Sequence, residues 1–169
     1  MTQLAISHFL SRKKPGVITH ISSIAGQNPF FPTPVYVAAK HAISGFVRSL
    51  AQLETPPPNL SLPSIRVNAV APGVIKTPLW TENKEKLKMI DQNVDEWVTP
   101  EEVAQVMVDL IEKEENVGGT ILEVGKGKVR RVEALNDPGP EGSGHTVSNA
   151  ESEEMEIWER LGECARSSL

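Results

Sequence analysis

Apolar residues recur along this chain with two periods, and the switches between them mark its elements. In Met1 to Arg12 (MTQLAISHFLSR), Leu4, Ala5, His8 and Phe9 fall at helical spacing, which predicts an amphipathic helix that opens without a capping signal. Lys13-Lys14-Pro15-Gly16 closes it, with cations where the helix dipole favours them. Val17-Ile18-Thr19-His20-Ile21 is a β-branched run behind a Pro-Gly breaker and reads as a buried strand. A loop with Gly26, Pro29, Pro32 and Pro34 follows. A second helix is predicted from Tyr36 to Glu54, with Ala38, Ala42, Ile43, Phe46, Val47, Leu50 and Leu53 as its apolar stripe. Thr55-Pro56-Pro57-Pro58 stops it, and the stretch to Ser64 reads as a surface connector rather than a proline-rich ligand.

Ile65-Arg66-Val67-Asn68-Ala69-Val70 is the next strand, ending in Ala71-Pro72-Gly73. Leu79 to Val98 is polar and lysine-rich and predicts one or two short helices. Thr99-Pro100-Glu101-Glu102 is a capping box with proline at the first helical position. That helix is expected to run to about Glu115, with Val103, Val106, Met107, Leu110 and Ile111 on one face, and Asn116-Val117-Gly118-Gly119 ends it. Thr120 to Val124 reads as the last strand, closing at Gly125. Beyond Val132 the pattern stops. Residues 133–169 read as a disordered, breaker-rich tail with a short helix at 152–163, Met155, Trp158 and Leu161 on one side. Such a helix is marginal alone, so a chain ending at Val132 is expected to keep the full melting temperature. The domain proper is thus 1–132.

Composition narrows the function classes. With 169 residues, 39% hydrophobic and 23% charged, the chain is long enough for one ordinary core. A net charge of −5 with no basic stripe argues against a nucleic-acid partner. One cysteine, Cys164, makes no internal disulfide and fits a reducing, cytoplasmic setting. No apolar run reaches membrane-spanning length, and no signal peptide is expected. His8 and His20 stand without a second histidine or carboxylate at useful spacing, so both read as packing or surface residues and no metal is expected.

The candidate chemistry lies between Ser22 and Lys40. Ser22 and Ser23 stand at the C-terminal end of a strand, where open α/β sheets hold ligands. Tyr36 and Lys40 are four apart, so a helix stacks them on one face. A free phenol ionises only near pH ~10, and a cation one turn away favours its phenolate. A serine hydroxyl beside them can hold a substrate oxygen in line for proton transfer. Such a site moves a proton on or off an alcohol or carbonyl oxygen. The matching hydride needs a nicotinamide cofactor, because no side chain carries it. A packing tyrosine beside a solvated lysine is the plainer reading of a bare Y-x-x-x-K; the strand-Ser-Ser-Gly segment ahead of it favours function.

HISSIAG followed by PVYVAAKHAISGF resembles the active-site segment of the short-chain dehydrogenase/reductase family, and RVNAVAPGVIKT resembles its second motif. The resemblance implies an α/β, Rossmann-like parallel sheet and NAD or NADP as cofactor. It implies Ser23 as the substrate-orienting serine, Tyr36 as the acid/base, and Lys40 as the residue that binds the nicotinamide ribose and tunes Tyr36, with Ser22 a neighbour. Pro72 and Gly73 would line the nicotinamide, Ile75 would offer its backbone to the carboxamide, and Thr77 would meet the carboxamide or the pyrophosphate. Asn68 would serve the strand or turn. Ala39 departs from the family, which usually has serine before the lysine. The segment after the second motif is where the family keeps a mobile lid. Gln27, Phe31 and Thr33 are the substrate-side candidates, and Phe30, Phe31 and the nearby prolines suggest a rigid apolar wall for a small hydrophobic alcohol or ketone. The helices at 1–12 and 36–54 are implied as a homo-oligomer face.

One expected element does not occur. A G-x-x-x-G-x-G turn opening a helix, which seats the dinucleotide pyrophosphate, is found nowhere in the 169 residues. Gly125 and Gly127 follow a strand and open no helix. The resemblance therefore covers the carboxyl half of the family domain, about Thr2 to Val132, with the first nucleotide-binding βαβ units absent. Two functions compete: a dehydrogenase/reductase that is inactive as this truncated chain, or a non-catalytic remnant that binds a partner through an exposed sheet edge and its oligomer-face helices.

Overall fold

The computed structural model describes residues 1–88, 90–91, 94–134 and 150–167. Its elements are α1 (Thr2–Arg12), β1 (Gly16–Ile21), α2 (Pro34–Ser49), β2 (Ile65–Pro72), α3 (Pro78–Thr81), α4 (Lys84–Leu87), α5 (Pro100–Glu112), β3 (Ile121–Gly125), β4 (Lys128–Arg131) and α6 (Ala150–Ser167). The strands form one sheet in the order β1-β2-β3-β4. The first two pairings are parallel, with Thr19 opposite Asn68 and Ala69 opposite Ile121, and β4 joins antiparallel.

Both faces of β2 are covered, which is why its sequence is nearly continuously apolar. Ile65, Val67, Ala69 and Ala71 meet Leu10 of α1, Val47 of α2 and Ala165 of α6 on one face. Val70 meets Val103, Val106 and Leu110 of α5 and Val124 of β3 on the other. Asn68 is the polar exception. It is fully buried, accepts a bond from the Thr19 hydroxyl at 2.8 Å and donates to the Leu110 carbonyl at 2.9 Å. It therefore ties β1, β2 and α5 together, the structural role expected of it. The start of α5 is also as expected. Thr99 Oγ1 accepts from the Glu102 amide, and Glu102 Oε2 accepts from the Thr99 amide at 2.8 Å.

Several elements differ from their predicted form. β1 is not a buried strand: among the described residues it pairs on one side only, with β2, and Ile21 is 53% exposed. The sheet is not wholly parallel, because β4 extends it after β3. Its sequence, KVRR, is exposed along its length and so carries no alternation to read. The Lys126-Gly127 link works because Gly127 takes φ 64, a left-handed conformation open to glycine. Helix α2 begins two residues earlier than predicted, with Pro34 in its first turn, and ends at Ser49; a short 3-10 turn, Ala51–Glu54, follows. Helix α5 ends at Glu112 rather than near Glu115.

The C-terminal helix differs most. It spans Ala150–Ser167 instead of 152–163, and of the three places open to it, the body, a partner chain or none, it takes the body and packs on α1, so the tail is not the dispensable segment expected. Trp158 is 6% exposed and Ala165 joins the core beside Leu10 and Val47. Its Leu161 and Ile157 face Ile6, Leu10 and Phe46 across a cleft of about 510 Å³, on the helix face the resemblance assigned to a second copy. The breaker-rich stretch at 135–149 lies outside the described residues. Among the described residues, no helix is long and apolar enough to cross a membrane.

Two outcomes follow from this packing. Ending the chain at Val132 uncovers the α1 face, and the melting temperature is expected to drop by at least about 4 °C, the shift that 1–2 kcal/mol makes in a chain of this size; unchanged melting would mean that α6 adds nothing. Acid acts on Glu102. Its carboxyl is held at about 2, first by the Thr99 amide, then by the Gly127 amide and the Lys126 ammonium, against an ordinary value of 4.5. A lowered folded-state pKa means that this stabilisation is complete above 4.5 and is lost as pH falls toward about 2. The melting-temperature gap between the wild-type chain and Glu102→Gln should therefore be widest at neutral pH and close across that window.

Candidate active site

The C-terminal ends of β1 and β2 lie side by side because the two strands are parallel. What leaves each end defines the site. From β1 the chain passes Ser22 and Ser23 into a 3-10 turn, Ile24–Gly26, before reaching α2. Ser23 caps that turn: its Oγ accepts from the Ala25 amide at 3.2 Å, and its carbonyl accepts from the Gly26 amide and the Gln27 side chain. Its own hydroxyl proton has no acceptor among the described residues.

Tyr36 and Lys40 share one face of α2, as their spacing requires. The Lys40 Nζ lies 5.6 Å from the Tyr36 ring centroid and donates to the Ile21 carbonyl at 3.0 Å. The ammonium is thus drawn to the exit of β1, and it has no carboxylate partner among the described residues. The Tyr36 ring is 49% exposed, and its hydroxyl makes no hydrogen bond among them.

Ser22 is bound differently from Ser23. It is 2% exposed, lies 3.0 Å from the equally buried Ser44 Oγ, and donates to the Lys40 carbonyl at 3.3 Å. Gly26 closes over this cluster. A Cβ there would stand 2.6 Å from Ser22 Oγ and 2.9 Å from the Lys40 carbonyl oxygen. Sequence reasoning missed Ser44. Its signal was a small polar residue one helical turn beyond Lys40.

The end of β2 supplies the other wall. The Gly73 amide donates to the Val124 carbonyl at 2.9 Å, and a Cβ on Gly73 would lie 3.4 Å from that oxygen and from Val98 Cγ2. Pro72 is the buried last residue of β2. Ile75 bridges to Val98, with Lys76 and Val98 exchanging backbone bonds with Val98 and Val74 at 2.9 Å. The excursion from Thr77 to Trp97 is therefore pinned at its base. It carries α3 and α4, and a Trp80–Trp97 edge contact at 6.5 Å. Thr77 caps α3 by position, and its carbonyl accepts from the Trp80 and Thr81 amides.

Of the substrate-side candidates, Gln27 turns back onto Ser23, Thr33 sits at the N-cap of α2 without a side-chain bond, and Phe31 is 95% exposed. The structure thus gathers Ser23, Tyr36, Lys40, Pro72, Gly73 and Ile75 at one end of the sheet and leaves Phe31 outside the packed wall. His20 belongs to the fold. It meets Thr2 Oγ1 at 3.2 Å and the Phe46 edge at 5.6 Å, and burial lowers its pKa.

A model of the family described as "short chain dehydrogenase" matches residues 1–88. The chain is 34% identical over 121 residues to 15-hydroxyprostaglandin dehydrogenase (NAD(+)) of Rattus norvegicus, covering 64% of this chain and 43% of that protein. It is 32% identical over 126 residues to the short-chain dehydrogenase/reductase homolog YusR of Bacillus subtilis, covering 73% of this chain and 92% of that protein. Among solved structures, it matches a putative 2-deoxy-D-gluconate 3-dehydrogenase from Agrobacterium tumefaciens with bound NADP, at TM-score 0.59 and 28% identity over 75% of this chain and 51% of that one. A 4-hydroxyisoleucine dehydrogenase complexed with NADH matches at TM-score 0.56 and 26% identity, over 73% and 51%. The chain therefore spans about half the length of these solved structures and less than half of the rat protein.

Proposed function

This chain belongs to the short-chain dehydrogenase family, and from that premise we propose that it carries the proton-transfer half of an NAD- or NADP-dependent oxidoreductase that interconverts a secondary alcohol and a ketone. The observation that carries the reading is the contrast between the free and the committed groups. The Ser23 hydroxyl proton and the Tyr36 hydroxyl have no partner among the described residues, whereas the Lys40 ammonium is held beside the Tyr36 ring. In the oxidative direction the substrate oxygen accepts a bond from Ser23, and its proton passes to the Tyr36 oxygen. Lys40 holds a positive charge beside the ring that receives it. In reduction the same proton returns to the carbonyl oxygen. A bound nicotinamide supplies the hydride acceptor or donor.

The donor set suits the nicotinamide-ribose end of that cofactor. Lys40 and Tyr36 offer an ammonium and a phenol to ribose hydroxyls. Pro72 and Gly73 leave a wall without a side chain at Gly73, and Ile75 and Thr77 supply polar backbone beyond it. The substrate would enter between the Gln27–Val35 loop and the Thr77–Trp97 excursion, with Gln27, Phe31 and Thr33 on the loop side and an apolar, small-molecule alcohol or ketone as its class. A second copy would pack on α1 and α2 beside α6. None of these residues is assigned the pyrophosphate, because the G-x-x-x-G-x-G spacing that seats it at a helix N-terminus does not occur in the sequence. A second reading rests on the single-sided pairing of β1: an apolar strand with a free edge can bind another chain without chemistry.

In any form that turns over, Tyr36→Phe should lower kcat by about two to four orders of magnitude while cofactor affinity falls far less. Lys40→Ala should weaken both. A near-native rate in Tyr36→Phe would remove the assignment. For these 169 residues by themselves, calorimetric titration with NADH and NADPH should give affinities weaker than about millimolar, since the sequence has no G-x-x-x-G-x-G turn to grip the pyrophosphate; low-micromolar binding would show that pyrophosphate is held here by some other device.

A further inference from the structure

We propose that Ser22, Ser44 and Gly26 form a positioning buckle that fixes the register of α2 against the exit of β1, and so sets where Tyr36 and Lys40 stand relative to Ser23. This rests on the proposed roles of Tyr36 and Lys40. The buckle residues touch neither substrate nor cofactor; they act through the helix.

Lys40 is gripped at both ends by consecutive residues of the strand exit. Its Nζ donates to the Ile21 carbonyl at 3.0 Å, and its own carbonyl accepts the Ser22 hydroxyl at 3.3 Å. A serine hydroxyl carries one proton. With the Ser22 proton on the Lys40 carbonyl, the Ser44 hydroxyl can donate to Ser22 Oγ across the 3.0 Å contact. Both hydroxyls are 2% exposed and both are satisfied, so neither serves a substrate. A buried hydroxyl pair is costly when misaligned, because either oxygen left without its partner keeps its desolvation penalty. Two apolar side chains in the same space would tolerate sliding, whereas this pair has one good alignment.

Gly26 sets the distance. A Cβ there would lie 2.6 Å from Ser22 Oγ, 2.9 Å from the Lys40 carbonyl oxygen and 3.1 Å from Ser44 Oγ. Two of the three atoms are the buckle's own hydroxyls and the third is helix backbone, so any larger residue pushes α2 away from the strand exit. The adjacent serines therefore divide the work. Ser22 locks the helix, and Ser23, one residue on, keeps its proton free.

The chain has a single tyrosine, which makes the test direct. Protein labelled with tyrosine carrying ¹³C at Cζ gives one resonance, from Tyr36, and Lys40→Met calibrates the shift caused by loss of the neighbouring ammonium. Ser22→Ala, Ser44→Ala and Gly26→Ala are expected to move the resonance with the same sign as Lys40→Met. Val106→Ala, in the core on the opposite face of the sheet, lowers the melting temperature and should leave the resonance in place. Should Gly26→Ala fail to fold, the two serine variants carry the test. A resonance that stays put in them, or moves with the opposite sign, overturns the proposal whatever the melting temperature does. The readout needs neither cofactor nor turnover, so it stands or falls separately from the Tyr36→Phe kinetics.

Discussion

Burying β2 on both faces is the constraint on which the rest depends. A strand covered on two sides needs its backbone paired to both neighbours and an apolar layer above and below. Here β1 and β3 supply the pairing, and α1, α2 and α6 on one face and α5 on the other supply the layers. Each fully covered valine, leucine or isoleucine contributes about 1.5–3 kcal/mol. Asn68 lies within this layer and converts its position into connectivity, since its two bonds fix β1 and α5 against the same strand.

That arrangement brings the parallel strand ends together, and the site is built from what leaves them. One exit carries two serines that differ in a single respect. Ser22 faces into the packing against α2 and spends its hydroxyl there, while Ser23 caps a short turn with its oxygen and retains its proton. The neighbouring exit carries Pro72-Gly73 and leads to an excursion closed at its base by Val74, Lys76 and Val98. A rigid pair of strand ends with a pinned loop beside them positions groups better than a loop alone.

Glu102 shows how one residue can serve two elements. It completes the cap of α5 and accepts the Gly127 amide and the Lys126 ammonium from the β3–β4 turn, so the hairpin that the sequence hides is tied to the helix that the sequence announces. Helix α6 is the converse case. Its composition is mostly polar, and its docking depends on Leu161 and Ala165, which join the core that Ile6, Phe9 and Leu10 of α1 enter about 150 residues earlier.

What the sequence determined by itself was local. Tyr36 and Lys40 share a face because four residues make about one helical turn. The capping box at Thr99 and the breaker pairs set boundaries to within a few residues, and the apolar periods placed three of the four strands. Tertiary structure decided whatever depends on a distant neighbour. It made β1 a half-exposed edge strand, because pairing is a property of two strands. It recruited KVRR as a strand, because an exposed polar strand has no period of its own. It docked α6. Above all, it separated Ser22 from Ser23. No pattern distinguishes two adjacent serines, and the difference arises from a hydroxyl 22 positions away on another element, which draws one of them into the packing, while the other's proton has no acceptor among the described residues.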